Sequence, residues 1–507
     1  MKNKKAIFLN GAAGGATQII AYLMNFITRT LMIKYIGIEV LGISSTCASV
    51  MGTLQLADIG FQNAVCFSLY KPIAEQDEEK INNLLQVLKT AYLFIALFVA
   101  AGALICLPFL KYIFKGVEVN AFVIAIFLLT AANVSVSYYM AHKRTLLYAD
   151  QHEYNAKVCD IVTNLTFSLL RIVAVVVTHN FIWYVVLQIM QTFSANVLVS
   201  KFCKKRYPYL HRSKPPRELF AALFSDVKNI FFARMAGYVY SSTDNLVISS
   251  LISTVTVGFT GNYTMFTSGF KTICSTVLVA FGPYTGNLLT EGKDPEDLDL
   301  FFRTVNHLRF AVAAAVVIPC AVLFQDLIRV WIGEDYLLSI FYVYLLLMDF
   351  YIETVDGNCL DFIYGSGLFL HEKRIDIAGA LTNIILSVIL ALKIGICGVL
   401  IGTVVSQMIF WIGRSLVCYS KCIDKKYYGK YLLKNLIYII FVIINIMISG
   451  FIYSFVANGQ ATLLRLLAGG VICELVYLAM YLLLSKFFPE SEVIFAYFKR
   501  FIKREKI

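Results

Sequence analysis

Seven basic side chains, Arg29, Arg171, Arg234, Lys271, Arg309, Arg414 and Arg465, stand inside or at the edges of long apolar stretches of this chain. A charge at the centre of a membrane helix costs about 2.5–3.5 kcal/mol on insertion scales, so each needs a partner or water. Arg29, Arg171 and Lys271 have no acid three or four residues away, which excludes an ion pair along their own helix. What they offer is a wet, cationic site for an anionic, phosphorylated group, because guanidinium forks match phosphate oxygens. Arg234 divides between that role and pairing. Arg309, Arg414 and Arg465, near the ends of their stretches, read as paired with acids or as snorkelling to the interface.

Polar partners recur at helical spacing. Gln55, Asp58 and Gln62 form one stripe, and Asn164, Ser168 and Arg171 form another. Asp58 and Asp244 are the acids of the second and seventh apolar stretches. Asp349, Glu353 and Asp356 share one helix face, with Asp361 beyond, and such a face binds a proton or Na⁺ for coupling. Asp349 is the deepest of them, ~20 Å from the outer end of its stretch at 1.5 Å per residue. Glu353 and Asp356 fall toward the inner headgroup zone. The candidate substrate-binding cations are therefore Arg29, Arg171, Arg234 and Lys271. The candidate coupling or cavity acids are Asp58, Asp244, Asp349 and Glu353.

No catalytic residue and no metal site is read from the sequence, and no cofactor is implied. The chain lacks the G-x-x-x-x-G-K-[ST] phosphate loop, the G-x-S-x-G elbow and the H-E-x-x-H zinc motif. Asp297-Leu298-Asp299 imitates a metal-binding D-x-D but sits in an acidic loop and reads as solvated. Asn164-Leu165-Thr166 and Asn262-Tyr263-Thr264 match a glycosylation sequon inside helices, where the match carries no meaning. Cys418 and Cys422 have no second Cys or His pair nearby, so the 12 cysteines read as free thiols in a reducing compartment.

The elements that must hold these groups are membrane helices. Hydrophobic residues make up 59% of the 507 positions and charged ones 15%, against about 45–50% and 25% in soluble chains. Apolar runs long enough to span, about 20 residues, fall at 8–33, 40–64, 88–110, 119–141, 155–177, 181–200, 229–253, 258–288, 304–323, 336–360, 375–393, 397–419, 433–457 and 463–487. Their length and uniform greasiness exclude barrel strands. The first run follows Lys2, Lys4 and Lys5 like a signal peptide, but it is too long for one and reads as a retained span. With the amino end inside, the cytoplasmic segments carry 32 Lys and Arg and the opposite side 5. That bias puts both termini in the cytoplasm. It also accounts for the net charge of +12 without nucleic acid.

A basic break at 201–217 separates six runs from eight. Gln18, Tyr22, Asn25 and Arg29 in the first run match Arg234, Tyr238, Ser241 and Asn245 in the seventh, at offsets of 4, 3 and 4. Gly42 and Gly258 follow the two stripes. The pattern fits two related six-helix lobes and a terminal helical pair. The expected organisation is an amino-terminal lobe over 1–200, a basic cytoplasmic linker over 201–228, a second lobe over 229–420, and the last two helices with a cytoplasmic tail over 421–507.

With these residues in place, the chain resembles the Wzx-type flippases of the polysaccharide transporter family, in the multidrug/oligosaccharidyl-lipid/polysaccharide exporter superfamily. The similar stretches are Arg29 with Ile36-Gly37-Ile38-Glu39-Val40-Leu41-Gly42, Leu56-Ala57-Asp58-Ile59-Gly60-Phe61, and Ser68-Leu69-Tyr70-Lys71-Pro72. Val257-Gly258 with Asn262-Tyr263, Trp331-Ile332-Gly333-Glu334-Asp335-Tyr336, and Gly395-Ile396-Cys397-Gly398-Val399 with Gly402-Thr403 continue the series. The resemblance implies an all-α membrane protein of about fourteen transmembrane helices, two six-helix lobes around a central cavity plus two carboxyl-terminal helices. It implies an undecaprenyl-diphosphate-linked oligosaccharide as substrate, moved from the inner to the outer leaflet of the cytoplasmic membrane. The expected working unit is a monomer, and the expected coupling ion, read from the acid face, is H⁺ or Na⁺. Family members gather cationic residues for the diphosphate, and Arg29, Arg171, Arg234 and Lys271 occupy suitable spans. Exporters of lipid II, teichoic acid or drugs are the nearest rivals, although drug exporters usually stop at twelve helices. A membrane polymerase or ligase would need a sizeable outer loop, and the longest polar segment, 201–217, is cytoplasmic instead.

Overall fold

The computed structural model describes residues 4–58, 61–211, 243–279, 281–292, 294–457 and 461–494. Among the described residues the apolar runs of the sequence fall on helical segments, and of the run 229–253 only the end is described. In chain order the helices are α1 (Lys4–Tyr35), α2 (Ile38–Leu54), α3 (Phe61–Glu75), α4 (Glu78–Cys106), α5 (Ala121–Tyr138), α6 (His142–Ala149), α7 (Glu153–Thr178) and α8 (Phe181–Arg206). There follow α9 (Thr254–Leu278), α10 (Phe281–Thr290), α11 (Pro295–Ile332), α12 (Ile340–Gly365), α13 (Phe369–Ile394), α14 (Ile396–Lys421), α15 (Tyr428–Ala457) and α16 (Leu463–Ser485). Among the described residues there is no strand.

Nine of these helical segments are long and apolar enough to cross a membrane, or ten if the bent pair formed by α9 and α10 is one span. The chain is an all-helical, multi-pass membrane protein. Helices are obligatory in that solvent because hydrocarbon satisfies no backbone N–H or C=O. The second run, 40–64, is not one straight helix: α2 passes through a short 3-10 turn, Gln55–Asp58, before α3.

Helix starts follow local sequence. Asp77 accepts from the Lys80 N–H, Asn120 from those of Phe122 and Val123, and Asn180 from that of Ile182, each supplying an acceptor for otherwise orphaned first-turn donors. Gly395, at φ 65°, ends α13 and begins α14 in one residue, a conformation that needs no side chain.

Burial is inverted relative to a soluble protein. On α16, Leu464, Leu467, Val471 and Leu475 are all exposed and offer lipid an apolar face. Buried inside are Asn306, Asn358, Asn383, Asn435 and Asn445, whose amides bond across or along helices, as Asn383 does to Thr403 at 3.1 Å. Interhelical hydrogen bonds take over where apolar burial drives little association.

The chain packs as two compact units, Met1–Gly258 and Phe259–Ile507. In the first unit α2 meets the first turn of α9 through Gly42 and Gly258. A methyl group on Gly42 would strike the Thr254 carbonyl, and one on Gly258 would strike that of Ile38. The Arg29 guanidinium caps this crossing by donating to the Gly258 carbonyl at 3.0 Å. In the second unit aromatic stacking fills the core, with Phe310 and Tyr438 4.1 Å apart and nearly parallel.

Candidate functional site

Within the first unit, α7 and α8 form a helical hairpin that closes at the left-handed His179. Residues 160, 164, 168 and 171 of α7 lie one turn apart on one face. At the end of that face Arg171 is buried and donates to the Ser168 hydroxyl at 2.8 Å, the Phe167 carbonyl at 3.3 Å and the Tyr184 hydroxyl at 3.3 Å. Its guanidinium also lies over the Tyr184 ring, 5.0 Å from the centroid. Among the described residues no carboxylate is within ion-pair distance of Arg171. Tyr184 is in electrostatic reach of Arg29 as well.

The remaining first-unit candidates are dispersed. Asp58 pairs with the Tyr138 hydroxyl, and Asp244 is half-buried just before the π-helical turn Ile248–Ile252. Its neighbour Asn245, the one described member of the second polar stripe, donates to the Ser49 hydroxyl of α2 at 3.1 Å. Arg234, Tyr238, Ser241 and most of the 201–228 linker lie outside the described residues.

Sequence reasoning missed one pair in this unit. Arg144 of α6 holds Asp160 of α7 in a two-pronged bridge at 2.9 and 2.7 Å, and its Nε donates to Asn196 at 3.1 Å. The signal was present: Asp160 stands one turn before Asn164 on the stripe already recognised. Nearby His142, outside the spans, is buried, and burial, aided by Lys143 and Lys89, drives its imidazole down to about 3.

In the second unit α12 carries a ladder of acids, each met by a base from another helix. Lys271 of α9 donates to Asp349 at 3.3 Å and also to Glu353. Arg414 of α14 joins Asp356 and reaches Glu372 at 2.6 Å and Asp376 at 2.9 Å. Arg309 of α11 reaches Asp361 at 2.6 Å. Lys271 is thus brought together with two of the acids expected for coupling. This group is partly open: Lys271 and Glu353 are 34% and 48% exposed, whereas Asp349 is 10% and Asp356 3% exposed. Asp356 is interior and bound to Arg414.

The solvated reading of Asp297-Leu298-Asp299 holds for Asp297 but not for Asp299. Asp299 is buried, accepts from Arg303 at 2.8 Å and from the Tyr419 hydroxyl at 3.0 Å. A loop acid becomes interior because α11 begins early, at Pro295, and carries it under α14. Arg303 continues the network to Glu490, which Lys434 also holds. Burial opposes ionisation of Glu490, but the bond from Lys434 and the charges of Lys434 and Arg303 keep its carboxyl below the ordinary range. All 12 cysteines are free; Cys418 donates to the Cys359 carbonyl and Cys422 sits beside Ser366.

The family described as polysaccharide biosynthesis protein matches residues 10–288, more than half of the chain. No curated protein sequence matches it. Among solved structures, a lipid II flippase, MurJ, in an inward closed conformation is similar with a TM-score of 0.69 at 14% identity, over 94% of this chain and 99% of that one. An inward-facing multidrug resistance MATE family transporter of the MOP superfamily is similar with a TM-score of 0.63 at 17% identity, over 80% and 98%. The fold is the one these two proteins share.

Proposed function

Because the chain belongs to the polysaccharide biosynthesis protein family, we propose that it is a flippase. It moves an undecaprenyl-diphosphate-linked oligosaccharide repeat from the inner to the outer leaflet of the cytoplasmic membrane, for O-antigen or capsule synthesis. The observation that carries this reading is Arg171, a buried cation whose hydrogen-bond partners among the described residues are all neutral. A cation kept in the interior without a counter-charge is costly, and a diphosphate would supply the missing charge. Unpaired charge in an apolar medium costs tens of kcal/mol on simple solvation grounds, so the substrate's diphosphate gains as much as the protein.

Lys271 contributes the second unit's cation. Asp349 and Glu353 compete with phosphate for it, and neutralising them with H⁺ or Na⁺ releases the ammonium. That competition couples ion uptake to substrate handling in an alternating-access cycle by a monomer with both termini cytoplasmic.

Proteoliposomes carrying a fluorescent undecaprenyl-diphosphate glycan test the proposal through loss of inner-leaflet label. The wild type moves the label, and an Arg29→Ala/Arg171→Ala variant at equal incorporation does not. Equal rates in both would overturn it. The likeness to a lipid II flippase supplies the second reading, so lipid II is run in parallel; movement of lipid II alone would favour that reading.

A further inference from the structure

We propose that the first unit holds a separate pocket for one neutral sugar ring, lined by Arg144, Asp160, Asn164, Gln191, Thr192 and Asn196. The proposal rests on the flippase reading, and it assigns these residues a task distinct from that of Arg171.

The pocket lies among α1, α5, α6, α7 and α8 and has a volume near 370 Å³. Ligand pockets run from roughly 300 to 1,000 Å³, so this one takes a single ring and not a chain of them. Its lining excludes the other ligand classes a membrane pocket serves. Both oxygens of Asp160 are occupied by the Nη groups of Arg144, so a cation would have to displace the guanidinium. Those Nη groups face Asp160 and the Nε faces Asn196, so an anion would have to displace a carboxylate. The two charges cancel. An apolar ligand would leave the amides without partners.

What remains unused is amide. The Gln191 side-chain oxygen is buried with no hydrogen-bond partner among the described residues. Asn164 accepts from the Ser168 hydroxyl at 3.2 Å and keeps its N–H groups to give. Thr192 is already held by Asn133 at 2.8 Å, which fixes the wall beside Gln191. An amide both donates and accepts, as does every sugar hydroxyl, and a neutral ring needs no counter-charge.

Position supports the assignment. Asn164 precedes Arg171 by seven residues, and Gln191 follows Tyr184 by seven, so on each helix the offset is about 10 Å. The pocket therefore stands where a sugar attached close to a diphosphate at Arg171 and Tyr184 would sit.

Saturation-transfer NMR on the full chain in lipid nanodiscs tests this with glucose, galactose, N-acetylglucosamine and rhamnose as probes, alongside a titration with inorganic pyrophosphate. At least one monosaccharide should give a saturable signal that Na⁺ does not displace. Gln191→Leu and the similarly sized Gln191→Met should each weaken it about tenfold, the worth of one or two hydrogen bonds. Both should melt as the wild type does, because that oxygen bonds to nothing described. Pyrophosphate affinity should be unchanged in them and lost in Arg171→Ala, which keeps the sugar signal. No saturable signal from any probe, or an undiminished one in both Gln191 variants, would overturn the pocket. Sugar binding without pyrophosphate binding would instead overturn the diphosphate reading and leave the pocket standing.

Discussion

The Arg171 guanidinium lies 5.0 Å from the Tyr184 ring centroid and 3.3 Å from that residue's hydroxyl, so one side chain both screens and anchors a buried charge. Neutral partners lower the cost of that charge without cancelling it. Arg171→Met should therefore leave the melting temperature unchanged or raised, since replacing buried charge by apolar volume is often neutral or stabilising. The same variant should abolish transport. Arg171→Lys should retain part of it, because an ammonium lacks the two-pronged match to phosphate. Transport assays with melting curves on the same samples decide the matter; a destabilised but active Arg171→Met would contradict it.

Asp349 and Asp356 should fail in different ways. Asp349 faces Lys271 in a group that is partly open, so Asp349→Asn should lower transport with little change in melting. Asp356 is locked to Arg414 in the interior, so Asp356→Asn should lower melting and expression first. Glu353→Gln should be mildest, because exposed ion pairs are worth about 0–1 kcal/mol. Complementation scored against membrane abundance separates these effects, and equal transport per molecule in the Asp349 and Asp356 variants would remove the coupling role of Asp349.

The helices were legible because a spanning run needs nothing but length and greasiness, and the stripe Asn164, Ser168, Arg171 was legible because it follows helical spacing. What joins Arg414 to Asp356 or Arg309 to Asp361 was not. Those partners stand 58 and 52 residues apart, and no periodicity reports contacts between different helices. The burial of Asp299 has a related origin: the first turns of α11 are too polar to register as a span, and the apolar run begins only near residue 304.

Acid should destabilise the protein through His142. Its imidazole is held near 3 against an ordinary 6.5, so the unfolded chain binds a proton that the folded chain refuses. Stability then falls as pH drops below about 6.5 and continues to fall toward 3. His142→Phe removes this linkage and should flatten the melting temperature between pH 7 and 4.5. Parallel slopes for wild type and variant would show that other groups govern the acid limb.

Arg414 should be the most stability-critical cation of the second unit. It holds Asp356, Glu372 and Asp376 from α12 and α13 and lies 4.8 Å from the Phe410 ring centroid. Removing it leaves three carboxylates in the interior with their cation gone. Breaking one buried pair costs about 3–5 kcal/mol, and here three lose their partner together, so Arg414→Gln should fold poorly or melt far below the wild type. The acids are not equivalent. Glu372 meets the guanidinium through both Nε and Nη2, so Glu372→Gln should cost nearly as much. Asp376 makes one contact and is the more exposed of the two, so Asp376→Asn should be tolerated. Adding Asp356→Asn to Arg414→Gln should restore part of the lost melting temperature, because it removes one of the stranded charges. Detergent-solubilised melting curves for the four variants give the ranking, and a native-like Arg414→Gln would show that these carboxylates carry their own protons and do not depend on the guanidinium.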